Sequence, residues 1–202
     1  MENDYRVEYM WNEVFTPDNL SDIISNFVFV SEEEELEYNN KTQKVEKKIQ
    51  ENLIFPRYHQ LDLNKSFKNQ IPVDNIGTNY LVQHTTGSGK SYSIGWLAHL
   101  LTSLYKDKDS DERMFSSIIV VTDRKVLDKQ LQNTITSLQQ VSGVVNNVTQ
   151  GSKQLKEFLE QGKDIIVTTI QKFPYVISNI NELDQKSFAV IIDEVHSSQS
   201  GE

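Results

Sequence analysis

A glycine-rich segment at residues 85–91 constrains the fold of this chain more than any other feature, and it reads Thr-Thr-Gly-Ser-Gly-Lys-Ser. Gly87 and Gly89 allow the backbone to turn tightly enough for successive N–H groups to face an anion. Lys90 extends toward the β- and γ-phosphates of a bound nucleotide, and Ser91 supplies a hydroxyl to a metal ion. Because a loop of this kind joins a strand to a helix, the chain is predicted to be an α/β protein.

The residues on either side of the loop provide that context. A short apolar run at residues 80–82 is predicted to be the preceding strand. The strict phosphate-loop pattern has a glycine where this chain has His84, so Gly87 is expected to carry the tight turn. The helix that follows is predicted to point its N-terminus at the phosphates, where its dipole favours negative charge. Apolar residues recur at helical spacing behind the loop: Ile94, Leu97, Ala98, Leu101 and Leu104.

A second motif lies near the end of the chain, where an apolar strand at residues 188–192 is followed by Asp193 and Glu194. Asp193 is predicted to hold Mg²⁺ together with Ser91, and Glu194 to act as the catalytic base on the attacking water. Lys90 is assigned a catalytic as well as a binding role. The predicted ligands are ATP and Mg²⁺. The predicted nucleotide-binding residues of the loop are Thr86, Gly87, Ser88, Gly89, Lys90 and Ser91.

Short apolar strands alternate with amphipathic segments after residue 80, which is typical of a mainly parallel sheet with helices on both faces. Strands are predicted at residues 80–82, 117–122, 144–148, 165–168 and 188–192, and helices at 126–138 and 152–159. Ligands of such sheets bind at the carboxyl ends of the strands, where both motifs fall. The two motifs are therefore expected to meet in space.

The first part of the chain differs in character. Residues 18–27 and 42–51 are predicted to be helical, and Pro56 is predicted to open a third helix that continues to Phe67. A boundary near Asn52 divides a helical linker or arm, residues 1–52, from an ATP-binding lobe, residues 53–202. Acidic residues at 32–37 and lysines at 41–48 are interpreted as a solvated linker or mobile arm, with a regulatory contact as the alternative.

Composition excludes several classes. A net charge of −9 argues against a passive nucleic-acid coat protein, which needs a broad basic surface. The longest apolar runs fall short of the ~20 residues of a membrane span, and no signal peptide opens the chain, so no membrane contact is expected. The absence of cysteine fits a cytoplasmic location.

Several motifs together resemble a known family. Asp-Glu-Val-His at residues 193–196 resembles the box of superfamily 2 helicases and translocases. Within that superfamily, residues 83–91, 120–130, 167–173 and 196–201 are similar to motifs of the motor (R) subunit of type I restriction enzymes, including the histidine before the loop. The resemblance covers roughly residues 57–201 and is more specific than any single motif.

The resemblance implies the first RecA-like lobe of a motor that couples ATP hydrolysis to movement along double-stranded DNA, ending just after the acidic box. The implied partners are a second RecA-like lobe, a nuclease domain, and modification and specificity subunits. Gln60 is implied to read adenine, with a plain solvent-facing residue as the alternative. Arg124, Lys125 and Lys129 are expected at the DNA-facing rim, or else simply begin a charged helix.

Other interpretations stay open at this point. The lobe could belong to another superfamily 2 protein, such as a repair translocase or an RNA helicase. It could also be a nucleotide-dependent binding module that holds ATP without turnover. Thr168, Thr169 and Gln171 could bond DNA phosphates, or the two threonines could simply end a strand.

Overall fold

The structure, a computed structural model, describes residues 7–39, 43–74, 76–107, 110–122, 125–139, 142–177 and 186–193. The chain divides into two compact units, Met1–Tyr58 and His59–Glu202. The predicted boundary near Asn52 lies a few residues before this division.

The described part of the first unit contains a π-helical turn, an α-helix and a long β-hairpin. A π-helical turn, Met10–Val14, precedes α1, Pro17–Asn26. Pro17 suits the first helical position because its missing N–H has no partner there. Strand β1, Phe29–Asn39, then pairs antiparallel with β2, Lys44–Ile54, over their full lengths.

The predicted helix at residues 42–51 is wrong, because residues 44–51 lie in β2. Val45, Ile49 and Leu53 recur every four residues, a spacing that fits one face of a helix and equally one face of a strand. The backbone of this segment pairs with β1 residue by residue, from Lys44 opposite Asn39 to Ile54 opposite Phe29. The first unit is therefore only partly helical, and the acidic run belongs to a strand instead of an irregular linker.

The second unit alternates helices and strands, as expected from the sequence. Its helices are α2, Tyr58–Gln70, which begins at the division, α3, Lys90–Thr102, α4, Lys125–Ser137, α5, Ser152–Gln161, and the short α6, Phe173–Ile177. Its strands are β3, Ser117–Thr122, β4, Val145–Asn147, β5, Ile165–Thr169, and β6, Phe188–Ile192.

These four strands form one parallel sheet in the order β4-β5-β3-β6. Successive side chains of β3 point to opposite faces, so the central strand contributes to two cores. Ile118 and Val120 pack with α3 and α4 on one face, and Ile119 and Val121 pack with α5 and α6 on the other. The predicted α/β class, with a parallel sheet and helices on both faces, is confirmed.

The strand predicted at residues 80–82 is wrong. Residues 78–85 have no regular secondary structure, and Leu81 is 90% exposed. Tyr80 instead donates its hydroxyl to Asp74 and packs edge-on against Phe67, with ring centroids 5.0 Å apart. These contacts hold the segment next to α2, and a run of three apolar residues offers few ladder bonds to compete with them.

Helices α3 and α4 approach closely on one face of the sheet. A Cβ on Gly95 would lie 2.4 Å from Leu138 Cδ1, so only glycine fits this contact without repacking. His99 of α3 donates its Nε2–H to the carbonyl of Ile135 in α4 at 3.0 Å. Burial lowers the pKa of His99, and this hydrogen bond opposes the shift only in part.

We expect His99 to make the free energy of unfolding depend on pH. Its pKa is lower in the folded than in the unfolded chain, so its stabilising contribution is complete above the unfolded pKa of 6.5 and is lost as the pH falls through the folded pKa. His99→Gln keeps an amide donor near Ile135 without a titrating ring. Urea unfolding at pH 7.5 and 5.5 should show a smaller loss of stability on acidification for this variant; equal losses in the two proteins contradict the assignment.

Candidate nucleotide-binding site

The phosphate-binding loop has the backbone that its glycines predict. Gly87 and Gly89 adopt φ values of 76° and 82°, in the left-handed region that disfavours residues with a side chain. The N–H of Ser88 donates to the carbonyl of Thr85 at 3.2 Å and closes the turn. Helix α3 begins at Lys90 with Gly89 as its N-cap, so the first turn of the helix opens toward the loop.

The acidic motif reaches this loop through the sheet. β6 runs parallel beside β3, and the N–H of Asp193 continues the ladder by donating to the carbonyl of Val121 at 2.9 Å. The carboxylate Oδ1 of Asp193 lies 3.2 Å from Nζ of Lys90. The side chain of Asp193 is 13% exposed and that of Lys90 is 41% exposed, so the ion pair is half open to solvent. The two motifs therefore meet as predicted, although Glu194 lies outside the described residues.

Helix α2 lies against the opposite side of the loop. Gln60 donates from Nε2 to the carbonyl of Gly89 at 3.0 Å and, more weakly, to that of Ser88 at 3.4 Å. His59 donates from Nε2 to the same Ser88 carbonyl at 3.0 Å. Gln60 is 3% exposed, so the alternative of a plain solvent-facing glutamine is wrong.

His84, which occupies the position of the missing glycine, lies within the same cluster. Its Nδ1 is 3.3 Å from Oγ of Ser88, and its ring packs edge-on against that of His59 with centroids 5.6 Å apart. Burial lowers the pKa of His84, and its electrostatic interactions with His59 and Lys90 lower it further. The uncharged ring therefore predominates at neutral pH. Nothing in the sequence pattern pointed to His59 as part of this cluster.

A cleft of about 430 Å³ opens beside the loop. Helix α2 forms one wall, and the segment before the loop forms the other. Apolar Leu63 and Val82 lie among mostly polar lining residues. Gln60 is not among the lining residues, which are His59, Asp62, Leu63, Ser66, Val82, Gln83, His84, Thr85 and Ser88.

Comparison with known proteins identifies the family. A family model of the SWI2/SNF2 ATPases matches residues 42–202, which is most of the chain. The chain belongs to the SWI2/SNF2 ATPase family. The predicted likeness to superfamily 2 helicases and translocases is confirmed.

Relatives of this SWI2/SNF2 ATPase are named as endonuclease subunits of type I restriction enzymes. A type I restriction enzyme SsaAORF53P endonuclease subunit of Staphylococcus saprophyticus is 36% identical over 61% of this chain and 13% of its own length. The type I restriction enzyme HindI endonuclease subunit of Haemophilus influenzae is 34% identical over 58% of this chain and 11% of its own length. The MjaVIIIP endonuclease subunit of Methanocaldococcus jannaschii is 24% identical over 98% of this chain and 20% of its own length.

These matches confirm the predicted resemblance to the restriction subunits of type I enzymes. The chain spans between about a tenth and a fifth of the length of these relatives. Within the part of the chain that the structure describes, no helix is long and apolar enough to cross a membrane.

The residues predicted to hold Mg²⁺ have suitable chemistry. Ser91 is in the first turn of α3, and the Asp193 carboxylate lies next to Lys90 at the same loop. A hydroxyl and a carboxylate are hard oxygen donors, and Mg²⁺ usually takes only one or two protein ligands beside water and phosphate oxygens. Among the described residues there is no cluster of three or more His, Cys, Asp or Glu that could hold a metal ion.

The residues predicted to contact DNA differ in their location and exposure. Arg124 lies outside the described residues, and the backbone of Lys125 and Lys129 forms the first turns of α4, directly after β3. Thr168 and Thr169 are 0% and 3% exposed at the end of β5, so the interpretation that they end a strand is favoured over contact with DNA. Phe115, Phe158 and Phe188 pack against the two cores.

Proposed function

We propose that this chain is the ATP-binding lobe of the DNA-translocating restriction subunit of a type I restriction-modification system, coupling ATP hydrolysis to movement along duplex DNA. The observation that supports it best is the approach of Lys90 to Asp193 at 3.2 Å, which brings a phosphate-binding cation and a metal-binding carboxylate to one loop. The names of the relatives, all restriction enzyme subunits, support the type of motor.

In this proposal the loop binds the triphosphate of ATP. Residues 86–91 surround the phosphates with backbone N–H groups, and Lys90 exchanges its contact with Asp193 for one with the β- and γ-phosphates. Ser91 and Asp193 hold Mg²⁺, which when bound neutralises negative charge on the phosphates. The cleft between α2 and the loop accommodates the adenosine, with Leu63 and Val82 against its apolar surfaces.

Glu194 is proposed as the catalytic base. It follows Asp193 directly in the chain, and the Asp193 carboxylate lies 3.2 Å from Nζ of Lys90 in the phosphate loop. A carboxylate there orients the attacking water and accepts its proton. The arginine that stabilises the transition state comes from a second RecA-like lobe, and such a residue accelerates hydrolysis by ~10³ to 10⁵ where it has been measured. The isolated lobe is therefore expected to hydrolyse ATP very slowly.

The proposed track is double-stranded DNA, contacted through Arg124, Lys125 and Lys129. Lys125 and Lys129 belong to the first turns of α4, which follows β3, and β3 pairs with β6; this supports a DNA side adjacent to the proposed nucleotide side. Contacts of this kind bind phosphates without reading bases, so affinity should depend strongly on salt. A nuclease domain and separate modification and specificity subunits complete the proposed enzyme.

A chain carrying this lobe with its second motor lobe tests the proposal. Its ATPase rate should increase with the length of a linear duplex, and it should displace a third strand from a DNA triplex in an ATP-dependent manner. ATPase activity that responds equally to short duplexes, long duplexes and RNA favours a different superfamily 2 activity. ATP binding without any turnover in the two-lobed chain favours the binding module.

A further inference from the structure

In the described part of the first unit, the outer edge of the hairpin strand β2 has no neighbouring strand. β2, Lys44–Ile54, belongs to a sheet of two strands and pairs only with β1 among the strands that the structure describes. Every second residue of β2 therefore directs its N–H and C=O groups away from β1. Such an edge is a template for a further strand, and a sheet of only two strands gains stability from one.

The side chains of β2 that share one face are exposed. Successive side chains of a strand point to opposite faces, so the odd-numbered residues lie on the same side: Val45, Lys47, Ile49, Glu51 and Leu53. All five are exposed, and the three aliphatic side chains are each more than half exposed. Aliphatic groups that remain in water along an open strand edge favour association with another surface.

The order of these five residues is complementary to itself in an antiparallel arrangement. If two β2 edges pair with Ile49 opposite Ile49 of a second copy, Lys47 lies opposite Glu51. Val45 then lies opposite Leu53, and two-fold symmetry gives each of these pairs twice. Opposite charges and aliphatic side chains directly across antiparallel strands stabilise the pairing. A shift of two residues in either direction sets Ile49 opposite a charged residue, so the sequence favours a single register.

The same register joins apolar residues that the hairpin holds at its two ends. Within one chain Leu53 lies opposite Val30, and Val45 lies opposite Tyr38. Pairing of two β2 edges would place Val30 and Leu53 of one copy in a row with Val45 and Tyr38 of the other. All four side chains are more than half exposed in the single chain. The resulting sheet has four strands and an apolar row at each end of the shared ladder.

We propose that β2 is a homodimerisation edge, at which two copies of the chain pair antiparallel about Ile49 with Lys47 of each copy opposite Glu51 of the other. Lys47 can make this bond besides its contacts within its own chain, because an ammonium has three donors. β1 is less suited to pairing with itself, since residues 32–35 are all glutamate. The inference concerns the first unit alone and does not depend on the proposed nucleotide site.

Sedimentation velocity of the 202-residue chain tests the proposal. From about 1 to 300 µM it should show a reversible monomer–dimer equilibrium, weak because a strand edge offers less area than a standard interface of about 1,600 Å². Lys47→Glu sets like charges opposite each other twice in the dimer, and Glu51→Lys does the same with the other sign. Each change should raise the dimer dissociation constant about 10- to 100-fold.

Mixing these two variants separates a specific pairing from a general loss of stability. In a heterodimer of Lys47→Glu with Glu51→Lys, both cross-strand pairs again join opposite charges. The equimolar mixture, and the double variant alone, should therefore dimerise nearly as well as the parent. Lys153→Glu makes the same charge change on the exposed face of α5 and should leave the dissociation constant unaltered. Circular dichroism verifies that each variant is folded.

A single cysteine reports the register, because the chain has none of its own. Ile49→Cys should crosslink to the same residue of a second copy with a short bismaleimide. Ile24→Cys, at an exposed position of α1, is the control and should crosslink far less.

Three results overturn the inference. The first is a parent chain that stays monomeric over the whole concentration range. The second is a dimer whose dissociation constant neither charge reversal changes, which places the interface elsewhere. The third is a mixture of the two variants that dimerises no better than each variant alone, because the proposed Lys47–Glu51 pairs then do not exist.

Discussion

Lys90→Ala is expected to lower the affinity of the chain for ATP about a hundredfold, equivalent to roughly 3 kcal/mol. The variant loses the charged group that is expected to contact the β- and γ-phosphates. It also leaves the carboxylate of Asp193, 13% exposed, without the ammonium that lies 3.2 Å away. An uncompensated carboxylate facing the phosphates repels them, so loss of attraction and added repulsion act together. Calorimetric titration of ATP with Mg²⁺ measures the effect.

Lys153→Ala is the matched control, since it removes a lysine from the exposed face of α5 and changes the net charge equally. The control should bind ATP as the parent does. Equal affinities of the parent and Lys90→Ala would falsify the assignment of residues 85–91 as the nucleotide site, whatever the family of the chain.

The second large effect concerns Glu194 in a chain that carries both motor lobes. Glu194→Gln preserves the size of the side chain but removes the proposed base, and general-base catalysis typically contributes about 10²- to 10⁴-fold in rate. ATP hydrolysis should fall by that order while ATP binding is retained, so the variant should trap ATP and cease to move on DNA. Single-turnover hydrolysis and equilibrium binding, measured on the same preparation, separate the two steps.

Asp193→Asn provides the contrast, because the adjacent carboxylate has a different role. It forms the ion pair with Lys90 and is proposed to hold Mg²⁺, so this variant should weaken nucleotide affinity and its dependence on Mg²⁺. The proposed division of labour is wrong if Glu194→Gln hydrolyses ATP at the parent rate, or if the two variants show the same defect.

The sequence predicted most of the strands and helices of the second unit, because short runs of neighbouring residues indicate each of them. A run such as residues 188–192 is too short and too apolar for an exposed helix, and it becomes β6 with the predicted bounds. The glycines of the loop adopt the left-handed φ values that only their type tolerates easily. The meeting of Lys90 with Asp193 followed from one topological rule, that ligands lie at the carboxyl ends of parallel strands.

The errors arose where local patterns are ambiguous. Spacings of four residues along β2 fit a helix and a strand equally, and only pairing with β1 decides between them. The apolar run at residues 80–82 gave no indication that Tyr80 contacts Asp74 and Phe67 instead of a neighbouring strand. The bonds from His59 and Gln60 to the loop join residues 28 or 29 positions apart, and no periodicity in the sequence encodes such a contact.

The parallel ladder between β3 and β6 also sets the order in which the site can be completed. The loop residue Lys90 precedes Asp193 by about 100 positions, and Asp193 joins the sheet only through the last described strand. During synthesis the phosphate loop and the central strand emerge long before the residue that is to hold the metal. The site needs residues that are far apart in sequence, and the later ones are synthesised last. ATP binding is therefore expected only after the sheet has incorporated β6. A ribosome-bound chain halted before residue 188 should carry the loop and yet retain ATP poorly.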